Sequence, residues 1–364
     1  MTIRRSALIV AAVLCLVPAS VQAARVPNIG YLYPAGGQRG TTFRMVAGGM
    51  NLRGAVDLHF SGEGVHATYI EYWPGLSRFW RGKAGRHIRE LIKLRVAERA
   101  AKASGRKPPD PAITAARRAE FDPAPKHPWL DDMDNMTLLE LVDLSTLLFN
   151  NKVQENTQLA EGAVFEVTID PDATPGDREL RLTTRAALTN PRVFQIGVLP
   201  EARELEPNDP CPDRSWPPVE RPEQPLLDVP VLLNGQIMPG DVDRHRLRFR
   251  RGQKLVIQAH ARRLVPYLAD SVPGWFQTVL AIYDTDGREV AYADDYEFKP
   301  DTVLYFEVPA DGEYALEIRD AIYRGREDFV YRVSVGEQPF ITSMFPLGGP
   351  ARVDTIASVD GWNL

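Results

Sequence analysis

The chain has 364 residues, a formal net charge of −5, 44% hydrophobic residues, 30 prolines, 27 glycines and two cysteines. A balance this mildly negative argues against nucleic acid as a partner. The density of turn-forming residues suits an all-β chain of two or three domains.

Residues 1–23 read as a signal peptide. Arg4 and Arg5 form the charged start, residues 7–17 the apolar run, and Val21-Gln22-Ala23 offers small residues for cleavage before Ala24. The run is too short to cross a bilayer as a helix. The chain is therefore expected to be exported to the periplasm, the cell surface or the medium, with no transmembrane segment after signal removal. Cys15 leaves with the signal, and Leu14 before it does not fit a lipoprotein cleavage site. Cys211 is then a lone thiol, so core burial rather than an internal disulfide must hold the domains. Flanked by prolines, it reads as an inert linker thiol.

Residues 24–76 and 158–200 are expected to build a first β-sandwich. Phe43 and Met45 alternate with Arg44, and Val56, Leu58 and Phe60 alternate with Asp57 and His59. After a gap the pattern resumes: Phe165, Val167 and Ile169, then Leu180 and Leu182, then Phe194, Ile196 and Val198. Period-two alternation broken by glycine and proline marks half-buried strands. Between these sets, residues 77–157 read as a basic helical insertion. Ile88, Leu91, Ile92 and Val96 recur at helical spacing over 86–103, and Leu138, Leu141, Val142 and Leu148 do so over 135–151. Thr137 and Glu140 have the spacing of a capping box. The basic stretch 78–126 reads as a solvated helical face with Glu90 and Glu98 in local ion pairs. The competing reading is a tether to an acidic envelope polymer or membrane surface.

Residues 201–229 are expected to be a proline-rich linker, since such proline density does not build a sheet interior. Residues 230–337 then read as a second sandwich. Leu247 and Phe249 alternate with arginines, Asp284-Thr285-Asp286-Gly287 marks a turn, and Tyr314, Leu316 and Ile318 alternate with polar residues. Trp275 and Phe276, with Tyr267, are expected to cover one end of it. Asp294-Asp295 reads as a turn after the strand ending at Tyr292.

The start and the end of the chain share a phrase. Pro27-Asn28-Ile29, Tyr33-Pro34, Gly36-Gly37 and Gly49-Met50-Asn51-Leu52 recur as Pro339-Phe340-Ile341, Phe345-Pro346, Gly348-Gly349 and Gly361-Trp362-Asn363-Leu364. A match at constant offset marks a repeated structural module, so residues 338–364 are expected to begin a third sandwich.

Glu204-Leu205-Glu206-Pro207-Asn208-Asp209, Asn234-Gly235-Gln236-Ile237, Gly240-Asp241-Val242-Asp243, Gly252-Gln253, Asp286-Gly287, Asp294-Asp295 and Pro309-Ala310-Asp311-Gly312-Glu313-Tyr314 leading to Tyr331 form an ordered series. In that order the stretch 203–337 resembles the bacterial pre-peptidase C-terminal domain, which implies a jelly-roll-type sandwich. The phrase at the two ends resembles the start of an immunoglobulin-like TIG/IPT module. Chains pairing these modules resemble exported multi-domain bacterial surface proteins.

Glu204, Glu206 and Asn208 stand at alternate positions, which in an extended chain places them on one face. Pro207 favours that extended geometry in the residue before it. Asp241 and Asp243 repeat the arrangement. Calcium takes six to eight hard oxygen ligands, and the resemblance implies a calcium site with Glu204, Glu206, Asn208, Asp241 and Asp243 as ligands. The alternative is a pair of solvated acidic turns.

No Gly-x-Ser-x-Gly elbow, His-Glu-x-x-His motif or phosphate loop occurs. His59, His66, His87, His127, His245 and His260 lack metal-ligand spacing. The expected function is non-catalytic: an exported modular protein that binds or spaces at the cell surface or in the periplasm, with an extracellular or envelope protein or a glycan as partner. The alternative is an accessory region of a secreted peptidase or other hydrolase whose catalytic domain lies beyond residue 364.

Overall fold

A computed structural model describes residues 26–107, 126–149, 156–206, 208, 223–266 and 275–364. The expected signal peptide, the proline stretches within 108–125 and 209–222, Cys211 and Tyr267 lie outside the described residues. The fold is mostly β, 44% strand against 15% helix, which qualifies the all-β expectation.

Strands β1 (Asn28–Tyr33), β2 (Gly36–Gln38), β3 (Thr42–Met50), β4 (Ala55–Phe60) and β5 (Val65–Trp73) precede the insertion. Strands β6 (Glu161–Ile169), β7 (Gly176–Thr184) and β8 (Arg192–Gly197) follow it. They form two four-stranded sheets, ordered β1-β3-β6-β5 and β2-β8-β7-β4. Alternate side chains of both sheets meet in one core: Ile29, Met45, Phe165 and Val167 from the first, Leu58, Leu180, Leu182 and Phe194 from the second. Each such side chain removed from water contributes roughly 1.5–3 kcal/mol. Two expected core residues are not there. Val56 is 53% exposed because a bulge between Ala55 and Asp57 shifts the parity of β4 and turns Ala55 inward instead. Val198 is exposed because β8 ends at Gly197.

The insertion holds helices α1 (Arg78–Ser104) and α2 (Leu138–Phe149). Helix α1 starts earlier than the apolar spacing indicates. Ser77 caps it by accepting a bond from the Trp80 N–H, and Gly105 closes it in the left-handed region with φ 65°. Val96, expected in its apolar stripe, is 41% exposed; the buried stripe is Ala84, Ile88 and Leu91. Helix α2 begins at the expected capping box, with Thr137 N–H donating to Glu140 Oε2 at 2.6 Å and Glu140 N–H to Thr137 Oγ1 at 3.3 Å. The two helices share a core of their own, including Leu76, Ile88, Leu91, Leu141 and Leu148. Glu90 pairs with Lys93 at 3.1 Å and Glu98 with Arg95 at 3.0 Å along α1.

The stretch expected to be a linker carries strands at both described ends: β9 (Glu201–Arg203) and β10 (Leu226–Asp228). The remaining strands of this body are β11 (Val231–Gln236), β12 (Asp243–Phe249), β13 (Lys254–His260), β14 (Thr278–Tyr283), β15 (Glu289–Ala293), β16 (Val303–Glu307), β17 (Gly312–Asp320) and β18 (Val330–Gly336). They form two five-stranded sheets, β10-β12-β17-β14-β15 and β16-β13-β18-β11-β9. Leu247, Leu280, Leu316 and Ile318 of one face Leu233, Ile257, Tyr331 and Val333 of the other. The Asp-Gly turn joins β14 to β15, with Gly287 at φ 75° and Asp284 Oδ1 accepting from the Asp286 and Arg288 N–H groups. Phe276 is fully buried, stacked on Phe329 at 4.9 Å, and Trp275 covers the same end.

Strands β19 (Phe340–Phe345) and β20 (Ser358–Trp362) form a two-stranded antiparallel sheet. It repeats the β1/β3 pair: a bulge between Ile341 and Ser343 matches that between Ile29 and Tyr31, and Asn363 and Asn51 share a left-handed backbone. The burial differs. Ile29 and Leu52 are 0% exposed, while their counterparts Ile341 and Leu364 are 57% and 65% exposed.

Candidate metal centre

Glu204 directly follows β9, and the parallel pairing of β9 with β11 fixes its position. Its N–H donates to the Asn234 carbonyl at 2.9 Å. The Gln236 N–H donates to Glu204 Oε2 at 3.0 Å, and the Tyr33 hydroxyl donates to Oε1 at 2.7 Å. One carboxylate thus receives a bond from each sheet body. Glycine is required at position 235, because a Cβ there would lie 2.3 Å from Glu204 Oε2 and 2.1 Å from the Tyr331 hydroxyl.

Asp243 opens β12 opposite Ile318, an interior register position, and is 0% exposed. Among the described residues neither of its carboxylate oxygens makes a hydrogen bond of good geometry, and its polar neighbours are the Glu204 carboxyl and the Tyr331 hydroxyl. Asn208 is 4% exposed, and its side-chain Oδ1 and Nδ2 have no hydrogen-bond partner among the described residues. Its backbone N–H donates to Glu206 Oε2 at 3.1 Å. Buried polar atoms without partners are rare in folded proteins and call for an explanation.

Oxygen atoms of Glu204, Glu206 and Asp243 lie within 4.8 Å of one another. Two oxygens bound to one calcium at 2.3–2.6 Å stand at most about 5 Å apart, so this spacing fits a single cation. Asp241 uses one carboxylate oxygen in a turn. Its Oδ2 accepts the Met238 N–H at 3.0 Å and closes the turn before β12, while its charge acts on Asp243. Glu206 and Asp241 also line a groove of about 380 Å³ with Glu140 and Asp143 of α2.

Burial pushes the Glu204 carboxyl up to about 7, opposed by the bonds it accepts. Burial also raises Asp243 well above the carboxylate range, and the neighbouring Glu204, Asp241 and Glu206 charges add to this. Tyr331 is raised by burial and then by Asp243 and Glu204. Its hydroxyl meets His245 Nε2 at 2.8 Å, and burial lowers His245 to about 4, so that imidazole is neutral at pH 7. The cluster is thus electrostatically strained when all its carboxylates are charged, and a divalent cation would relieve that strain.

Of the five expected ligands, Glu204, Glu206, Asn208, Asp241 and Asp243, the structure gathers Glu204, Glu206 and Asp243 within one cluster. The spacing of the two acidic motifs gave no sign of Tyr33, which comes from the other sheet body 171 residues away. Tyr331 appeared only as the end of a motif. The other histidines have local roles: His66 meets Asp170 at 3.1 Å, His87 meets Asp134 at 3.1 Å and His260 meets Gln195 at 3.1 Å.

The sequence matches no protein-family model and no curated protein. Among solved structures it is similar to PliG, a periplasmic inhibitor of g-type lysozyme from Aeromonas hydrophila, at 14% identity over 31% of this chain and 98% of that one, TM-score 0.21. It is also similar to the secreted serine protease VesC of Vibrio cholerae at 8% identity, covering 92% of this chain and 48% of that one, TM-score 0.19. A third is SGBP-B of the Bacteroides ovatus mixed-linkage glucan utilization locus, at 7% identity over 83% of this chain and 73% of that one, TM-score 0.19. The chain spans about half the length of VesC. These are distant likenesses to bacterial proteins, periplasmic and secreted ones among them.

Proposed function

We propose that the chain is a non-catalytic exported protein of tandem β-sandwiches, acting in binding or spacing at the bacterial cell surface or in the periplasm. In this reading the first sandwich is immunoglobulin-like and the second is of the pre-peptidase C-terminal type. One calcium ion sits at their junction, held by Glu204, Glu206 and Asp243, with Asn208 and Asp241 completing the oxygen set.

The observation that carries the calcium reading is Asp243: fully buried, without a well-formed hydrogen bond to either oxygen among the described residues, and within 4.8 Å of two further carboxylates. An uncompensated buried carboxylate costs several kcal/mol, and a hard divalent cation is the partner that suits oxygen ligands alone. The non-catalytic reading is supported by the sequence, which carries no Gly-x-Ser-x-Gly elbow and no His-Glu-x-x-His motif. Export is supported by the signal-like start of the sequence.

Differential scanning calorimetry of the purified protein tests the site. Millimolar calcium should raise the unfolding temperature relative to chelator, with a stabilisation of about 2.7 kcal/mol at a hundredfold excess over Kd. Asp243→Asn should abolish the calcium response. Identical transitions with calcium and with chelator would rule the site out.

A further inference from the structure

Cα partners Tyr31, Gly48, Gly162 and Trp73 form one row across β1, β3, β6 and β5. The two glycines are what this row requires. A Cβ on Gly48 would lie 2.0 Å from the Tyr31 ring, and one on Gly162 would lie 2.2 Å from the Trp73 ring. The two aromatic rings therefore each lie over the bare backbone of the neighbouring strand, in one row across the sheet. Ala47 and Ala163, the neighbours of these glycines, belong to the core, so the rings occupy the opposite face.

That face forms part of a cavity of about 280 Å³ at the meeting point of three parts of the fold. The insertion contributes Arg81 and Trp129, and the second sheet body contributes Gln236 and Glu327. The polar groups are held in place. Arg81 Nε donates to the Leu76 carbonyl at 3.2 Å, and the Gln236 amide donates to the backbone carbonyl of Glu327. His127 packs edge-on to both tryptophans, 6.2 Å from Trp73 and 4.9 Å from Trp129. Among the described residues the wall carries one guanidinium and one carboxylate, which suits an uncharged ligand.

We propose that this cavity binds a neutral saccharide, with a sugar face stacked on the Tyr31–Trp73 platform and hydroxyls held by Arg81, Gln236 and Glu327. A flat aromatic ring presents a negative face to the C–H bonds of a pyranose. Planar guanidinium, carboxamide and carboxylate groups can each hold adjacent hydroxyls in pairs. The volume is near the lower limit of ligand pockets, about 300 Å³, and suits on the order of one or two sugar rings. The inference rests on the reading of the chain as a binding module and is independent of the cation site.

Saturation-transfer NMR and isothermal titration of the purified protein with glucose, galactose, mannose, N-acetylglucosamine, cellobiose, maltose and lactose test it. At least one should bind, and Trp73→Ala should weaken binding by about tenfold or more, equivalent to about 1.4 kcal/mol. If Trp73→Ala does not fold, Arg81→Gln at an unchanged unfolding midpoint should give the same loss. Absence of binding across the panel overturns the proposal, as does unchanged affinity in the variants. Tetramethylammonium binding in place of any saccharide would also overturn it and make the rings a cation cage. Co-sedimentation with envelope fragments separates the two readings. If it persists without saccharide binding, this inference alone fails; if it too is absent, the binding-module reading fails with it.

Discussion

His127 and His260 are neutral within the fold. Burial lowers each to about 4, with Arg81 adding to the effect at His127 and Arg263 and Arg332 at His260, where Asp177 opposes it. The unfolded chain protonates these imidazoles near their ordinary value of about 6.5. Between pH 6.5 and 4 it therefore binds protons that the folded chain does not, and stability must fall as the pH drops through that window. The effect of each histidine is on the order of 2–3 kcal/mol. Urea unfolding at pH 7 and at pH 4.5 should show a smaller acid loss in His260→Asn than in the parent protein. An equal loss in both would assign the acid sensitivity elsewhere. Legibility at this scale was uneven. The alternate spacing of Glu204, Glu206 and Asn208 was readable because the chain there is extended. The burial of Asp243 was not, because an acidic residue opening a strand is exposed in most proteins.

At the scale of elements, local chemistry and tertiary packing divide the result. The α2 capping box was readable because both partners lie within four residues of each other. The start of α1 was not, since its first two turns carry aromatic and basic residues without a clean apolar stripe, and Ser77 alone marks the cap. The insertion has its own core, so it should behave as a separate cooperative unit. Leu141 is fully buried within it. Leu141→Ala should cost the insertion about 2–5 kcal/mol and raise amide exchange in α1 and α2, with little change in the β3 and β6 amides. Equal acceleration in both would show that the insertion and the sheets open together.

For the whole molecule, the two sheet bodies are joined by polar contacts that lie around a buried arginine of the second body. Arg332 on β18 is 1% exposed and bonds to Glu201 at 2.6 Å and Asn234 at 2.7 Å. Strand β2 of the first body lies directly against it, since a Cβ on Gly36 would come within 2.9 Å of the guanidinium carbon. Asp177 meets Arg263 at 2.9 Å, His260 meets Gln195, and the Tyr33 hydroxyl reaches Glu204. Leu264 and Val330 of the second body complete the first body's core. The two bodies should therefore unfold in one calorimetric transition. Arg332→Met leaves the Glu201 carboxylate without its cation and should cost about 3–5 kcal/mol. Two separate transitions in the parent protein would contradict this coupling.

The sequence by itself determined the β character, the place of the helical insertion, the module repeat and the two separate acidic motifs. Each depends on spacing within a few residues, or on a phrase that recurs whole. The tertiary structure alone decided that β9 belongs to the second body rather than to a linker, that Val56 faces outward, and that Tyr31 and Trp73 share a row. It also decided that Tyr33 bonds to Glu204. Those outcomes depend on register and burial between segments more than a hundred residues apart, and no local pattern of side chains encodes them.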